Sequence, residues 1–183
     1  GKFEKITEEK EVNPETFNIS VQCRKGSRVF RIYVDPDLKI QGLFFLPDYS
    51  NLKAEKVNYL DETRFTEQNV SWGKKKPLPG MLCLPSKGEG FPVALLISGS
   101  GPNDMDETVG PNKIFRDLAH GLAFYGIASL RYDKITKAYR IEDPINFTQK
   151  EEVINPALEW IEFLKQQTKV DASNIFVIGH SQG

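Results

Sequence analysis

Ile175-Phe176-Val177-Ile178-Gly179-His180-Ser181-Gln182-Gly183 is the stretch that decides how this chain is read. An apolar run leads into Gly-x-Ser-x-Gly, the pattern in which a serine sits on a sharp turn between a buried strand and a helix, with its hydroxyl raised above a sheet. Glycine on either side lets strand and helix backbones pass closely at such a turn. The stretch singles out the Ser181 hydroxyl as a candidate nucleophile.

A serine hydroxyl is a weak nucleophile at neutral pH and needs a base, usually a histidine oriented by a carboxylate. The sequence contains two histidines. His180 adjoins Ser181, where the two side chains are expected to diverge. His120 lies in Asp117-Leu118-Ala119-His120-Gly121-Leu122 and is expected on a helix, at its surface or partly buried. In enzymes built on this elbow the partners follow in the order Ser, Asp or Glu, His. That order puts both after Gly183, so the chain is expected to be part of a longer protein and not to hold a complete triad by itself.

Upstream the pattern alternates. Pro92-Val93-Ala94-Leu95-Leu96-Ile97 is a continuous apolar run, the mark of a strand covered on both faces. Phe115, Leu118, Leu122 and Tyr125 recur at helical spacing and predict a helix over 112–125, ended by Gly126. Residues 127–132 form the next predicted strand. Ile154, Ala157, Leu158, Ile161 and Leu164 mark one face of a second helix over 148–168, which Pro156 either kinks or opens. Strand, helix, strand, helix, strand is the alternation of a parallel α/β sheet. Two further strands are predicted over 64–72 and 78–85, with Lys74-Lys75-Lys76 between them as a solvated turn.

Two more stretches flank the expected site. Ser98-Gly99-Ser100-Gly101-Pro102-Asn103-Asp104-Met105-Asp106-Glu107 follows the buried strand, and Leu130-Arg131-Tyr132-Asp133-Lys134 belongs to the next one. With the elbow, they resemble the α/β-hydrolase superfamily, and within it bacterial esterase-type members in which a His-Gly-Ser-Gly-Pro loop follows the third strand. Ser98 stands where many relatives carry histidine. The resemblance covers 53–183 and implies the N-terminal half of an α/β-hydrolase sheet, mostly parallel with helices on both faces. It further implies a serine hydrolase that cleaves carboxylic esters through an acyl-enzyme on Ser181, with the triad acid and histidine beyond Gly183.

Acyl transfer builds negative charge on the former carbonyl oxygen, and fixed backbone N–H groups around it lower the barrier. The resemblance implies that the donors are the N–H groups of Gln182 and Ser100, with Gly101 second to Ser100. Asp133, at a strand end, is expected to pair with a neighbouring backbone group or with Arg131, or else to line the cleft. The same catalytic half serves peptidases, thioesterases and acyltransferases, and fold does not choose among them. A non-catalytic fragment that keeps the scaffold is the reading from a different class. No metal or organic cofactor is implied. Ser98 to Pro102 lacks the lysine of a P-loop and the spacing of a dinucleotide fingerprint. Asp104, Asp106 and Glu107 lack ligand spacing and a nearby histidine, and are expected to order the loop or face solvent.

Ahead of the hydrolase-like region, 1–52 reads as a separate segment. Phe17 to Cys23 alternates apolar and polar residues, Arg24-Lys25-Gly26-Ser27 makes a turn, and Val29 to Val34 returns. Asp35-Pro36-Asp37 leads into Ile40 to Leu46, so three strands predict a short antiparallel meander. The ending Lys39-Ile40-Gln41-Gly42-Leu43-Phe44-Phe45 resembles the C-terminal strands of a small α+β domain found ahead of some bacterial hydrolases, which implies helices of that domain before Gly1. Pro47-Asp48-Tyr49-Ser50-Asn51 has the loop character of a boundary.

Composition narrows the classes. Across 183 residues the formal net charge is -1 with 27% charged residues, which provides no field to recruit nucleic acid or anionic lipid. No apolar stretch approaches the roughly 20 residues that cross a bilayer. Cys23 and Cys83 are expected as thiols rather than a disulfide, and no signal peptide is visible. An extracytoplasmic bacterial location is implied by the resemblance alone. The expected partners are a small ester substrate and the missing C-terminal half of the domain.

Overall fold

A computed structural model describes residues 2–47, 49, 52, 53, 57, 61–143 and 146–183. The chain divides into two compact units at the junction of residues 53 and 54. Of the expected boundary cluster, Asp48, Ser50 and Asn51 lie outside the described residues.

Among the described residues the first unit is a four-stranded antiparallel meander of β1 (Phe3–Asn13), β2 (Thr16–Cys23), β3 (Gly26–Val34) and β4 (Ile40–Leu46). Cys23 pairs with Gly26 across a two-residue turn, and Gly26, directly after it, takes φ +110°, a conformation open to glycine. The sequence predicts three strands; β1 is the addition. Its run Phe3-Glu4-Lys5-Ile6-Thr7-Glu8-Glu9-Lys10-Glu11-Val12 is exposed throughout, so it carries no apolar face to read. Hydrogen bonds to β2 hold it, and charge along an outer strand discourages pairing with foreign chains.

The second unit is an α/β layer structure. Its elements are β5 (Phe65–Trp72), β6 (Leu78–Pro85), β7 (Phe91–Ile97), the short β8 (Thr108–Val109) and β9 (Asn112–Lys113), α1 (Ile114–Phe124), β10 (Ala128–Tyr132), α2 (Ile135–Ala138), α3 (Asn155–Leu164) and β11 (Val170–Gly179). The five-stranded sheet has the order β11-β7-β10-β6-β5. Strands β11, β7 and β10 run parallel, and β6 and β5 continue antiparallel.

Side chains of β7 alternate between two cores. Val93, Leu95 and Ile97 face the cluster that α3 completes with Ala157, Trp160, Phe163 and Leu164. Ala94 and Leu96 face the cluster that α1 completes with Phe115, Ala119 and Ala123. The helices therefore cover opposite faces, as two consecutive parallel crossovers require.

Helix boundaries differ from the periodicity reading for physical reasons. α1 begins at Ile114, because Asn112 and Lys113 are used by β9 in pairing with β8. The second helix opens as a π-helical turn over Lys150–Ile154, in which the Asn155 N–H reaches the Lys150 carbonyl. Pro156 has no N–H to give the carbonyl of Glu152, so an ordinary α turn would go unpaired there. That helix then ends at Leu164. β11 is also more exposed than its apolar run suggests: among the described strands it pairs with β7 alone, and Phe176, Val177 and Ile178 are half exposed. No helix among the described residues is long and apolar enough to cross a membrane.

Leu95 is 0% exposed at the centre of this packing. Leu95→Ala is expected to lower the unfolding free energy by about 2–5 kcal/mol, read as a fall in denaturant midpoint at constant slope.

Candidate active site

β7 and β11 are in parallel register, with Gly179 opposite Ile97, so both strands release their following residues at the same end of the sheet. The His180 N–H donates to the Ile97 carbonyl at 3.0 Å, and the Gly183 N–H to the His180 carbonyl at 2.9 Å. Between them Ser181 takes φ +54°, a left-handed conformation costly for a residue with a side chain. A Cβ on Gly179 would overlap the Gly183 backbone, and one on Gly183 would overlap the Ile97 carbonyl. Glycine is thus sterically required on both sides of Ser181, whose side chain stands exposed.

The glycine-rich loop lies against this turn. A Cβ on Gly99 would come 3.2 Å from His180 Nδ1 and 3.3 Å from Ser181 Cβ. The Asn103 side-chain amide donates to the carbonyls of Gly99 and Ser100, at 3.0 and 3.1 Å, and its backbone N–H donates to the Gly101 carbonyl at 2.9 Å. Gly101 takes φ +97° at this bend. Among the described residues, the N–H groups of Ser100 and Gln182 donate to no protein acceptor. Ser181 and the Gly99 segment of this loop are therefore neighbours.

Asp133 Oδ1 accepts from the Met105 N–H at 2.7 Å, which ties the end of β10 to the same loop. Burial pushes its carboxyl above the usual aspartate range; the Met105 bond opposes this, and nearby Asp104 adds to the rise. Arg131 is engaged elsewhere. Its guanidinium bonds Asp106 Oδ1 and Glu67 Oε1, both at 2.8 Å. Of the acidic trio, Asp106 pairs with Arg131 and Lys113, and Asp104 Oδ1 accepts from the Thr108 N–H. Among the described residues no group of three or more His, Cys, Asp or Glu side chains is placed to hold a metal.

Two charged residues stand beside the turn: Glu107, expected to order the loop or face solvent, and Lys134, for which the sequence suggests no role. Glu107 is buried with φ +49°, and its Oε1 accepts from the Gly99 N–H at 2.9 Å and lies 2.6 Å from His180 Nδ1. Lys134 is buried, and its Nζ donates to the Gly99 carbonyl at 2.6 Å and to Gln182 Oε1 at 3.1 Å. Burial holds the Lys134 ammonium below the usual lysine range, opposed by the carboxylates of Glu152 and Glu107. The signal available was positional: Lys134 comes two residues after the end of β10, on the side of the sheet where the site forms.

His120 is buried rather than at the helix surface. Its ring stacks on Phe65 at 4.1 Å, and Nε2 lies 3.0 Å from Glu67 Oε1. The bond with His120, then the charge of Arg131, hold the Glu67 carboxyl below its usual range against the opposing effect of burial. For Asp106, burial pushes upward, but the bonds from Lys113 and Arg131 outweigh it and the carboxyl is held low. A carboxylate with a depressed folded-state pKa contributes stability above its unfolded value and loses it as pH falls through the folded value. Glu67 therefore contributes fully above its ordinary 4.5 and progressively less below it. Glu67→Gln is expected to lower the melting temperature at pH 7 and to flatten the decline seen below pH 4.5 in thermal unfolding.

A cavity of about 670 Å³ opens beside Trp72, Leu78, Ile135, Phe147, Leu158 and Trp160. Neither Ser181 nor Ser100 nor Gln182 lines it, so it is not assigned to the reaction.

No family model matches the chain. Among curated proteins it is similar to Esterase EstD of Thermotoga maritima, 39% identical over 169 residues, which are 92% of this chain and 39% of that protein. The chain thus spans well under half the length of the relative it matches. Among solved structures it is similar to esterase Est22, at 15% identity and a TM-score of 0.53, over 68% of this chain and 38% of that one. It is also similar to oligopeptidase B from Trypanosoma brucei, at 12% identity and a TM-score of 0.52, over 97% of this chain and 32% of that one. At such identities the two structures speak for fold alone. Together with the sheet order β5-β6-β10-β7-β11 and the strained serine turn after β11, these likenesses show that the second unit has part of an α/β-hydrolase fold, in a chain similar in sequence to a protein named as a bacterial esterase.

Proposed function

We propose that Ser181 is the nucleophile of a serine hydrolase acting on small carboxylic esters. The observation that carries this reading is a serine at φ +54° between two obligatory glycines, set against a glycine-rich loop. Strain of this kind persists only where surrounding structure enforces it, and it is concentrated at reactive sites. The similarity to a protein named as an esterase supports the substrate class.

In this mechanism Ser181 Oγ attacks the acyl carbon and a histidine base takes its proton. The carbonyl oxygen becomes an oxyanion held by the N–H groups of Gln182 and Ser100, with Gly101 as the next candidate. The protonated base then passes its proton to the departing alcohol, and water repeats the sequence to release the acid. The base and its carboxylate come from outside residues 1–183. His120 is occupied by Glu67, and His180 has Nδ1 on Glu107. Asp133 lines the approach to the loop as a structural anchor through Met105.

The test uses the protein as its source produces it, with a p-nitrophenyl acetate assay and intact mass after a fluorophosphonate probe. Wild type is expected to gain one adduct. Ser181→Ala is expected to lose it and to reduce kcat by roughly 10³-fold or more. An adduct that survives in Ser181→Ala, or turnover unchanged by it, removes Ser181 from the mechanism. Anilides or thioesters cleaved faster than esters would move the reading to a peptidase or a thioesterase.

A further inference from the structure

We propose that Glu107 and Lys134 are positioning residues that grip Gly99 by its backbone N–H and its carbonyl and fasten it to the two residues flanking the nucleophile. This rests on the reading of Ser181 as the nucleophile and names what holds its oxyanion site together.

The contacts form two arms of opposite charge. On one side, Glu107 Oε1 accepts the Gly99 N–H at 2.9 Å and meets His180 Nδ1 at 2.6 Å. On the other, Lys134 Nζ donates to the Gly99 carbonyl at 2.6 Å and to Gln182 Oε1 at 3.1 Å. Glu152 closes the second arm: its Oε1 lies 3.6 Å from Lys134 Nζ and accepts from Thr136 Oγ1 at 3.0 Å, while its Oε2 accepts from Gln182 Nε2 at 3.4 Å. One loop residue is thus held between a carboxylate and an ammonium. Each charge also holds one neighbour of Ser181.

The arrangement answers a mechanical need. The two oxyanion donors, on Ser100 and Gln182, come from segments more than 80 positions apart in the chain. Their spacing must be kept to a fraction of an ångström, and an error of about 1 Å costs about 100-fold in rate. Hydrogen bonds to ionised groups are the stronger kind and suit the purpose. Burying two charges is otherwise costly, and an apolar pair of similar volume would serve stability as well. The Lys134 and Glu107 side chains are 2% and 4% exposed, and each reaches both the backbone of Gly99 and a neighbour of Ser181, Lys134 with Glu152 beside it.

The oxyanion exists only on the way through the transition state, so loosening the grip lowers kcat and leaves KM nearly unchanged. The experiment measures both constants for p-nitrophenyl acetate in the protein as its source produces it, with Ser181→Ala as control. Lys134→Met and Glu107→Ala are each expected to lower kcat about 10- to 100-fold, with KM within about two-fold. Glu107→Gln keeps an oxygen to accept the Gly99 N–H and is expected to recover most of the loss. The double variant is expected to lose less than the product of the single losses, because both arms act on one residue.

Gln182→Ala decides the case if Lys134→Met fails to fold, because it keeps the backbone N–H and removes only the tether. A fall in its kcat supports the grip. Unchanged kcat in Gln182→Ala and Glu107→Ala overturns it, as does a rise in KM at constant kcat. Wild-type turnover indifferent to Ser181→Ala would instead sink the nucleophile reading, and the grip with it.

Discussion

Burial of β7 on both faces and pairing along both edges leave its backbone groups no outlet except β10 and β11. That constraint organises the second unit. A strand with apolar side chains on each face needs a helix above and a helix below, and α1 and α3 fill those places with Phe115 and Ala119 on one side and Trp160 and Leu164 on the other. Parallel pairing also brings the C-terminal ends of β7 and β11 together, which is where open α/β sheets form their clefts. The glycine-rich loop and the serine turn meet there because the register places Ile97 opposite Gly179.

Features whose signal is local were legible in the amino-acid sequence. The run from Val93 to Ile97 can be covered on both faces or not folded at all, and glycines two places either side of Ser181 are meaningful before any coordinate is known. The 78–85 and 40–46 strands are likewise bounded by turn chemistry that leaves little freedom. β1 was not legible, because a strand held by its ladder and exposed on all its described side chains has no apolar period. The π-helical turn at Lys150–Ile154 escaped for another reason: periodicity reports which face is buried, not how one proline redistributes carbonyls.

Charged partnerships around the site belong to the second kind of information. His180 and Glu107 are 73 positions apart, and Lys134 and Gln182 are 48 apart. Nothing in either neighbourhood announces the other. Their meeting follows from strand order, and the order β11-β7-β10 is settled by crossovers whose signal is spread over the whole unit. Asp133 illustrates the same limit. Two partners were open to it, and the loop geometry chose the Met105 amide while Arg131 was drawn to Glu67 and Asp106.

Arg131 joins regions that would otherwise open independently. From the middle of the sheet it reaches Glu67 on the outermost strand β5 and Asp106 on the loop beside the serine turn, and Lys113 extends the chain of charges to the start of α1. Freeing the loop alone would take Asp106 from a guanidinium that is almost wholly buried and leave it Glu67, so the loop does not fray at the low cost usual for surface segments. Its opening becomes part of a larger cooperative event shared with the sheet edge. In hydrogen-exchange terms, amides of a glycine-rich loop, ordinarily among the first to trade with solvent, inherit protection from a strand on the far side of the sheet. The loop is thus tied to the folded core by charge as well as by burial.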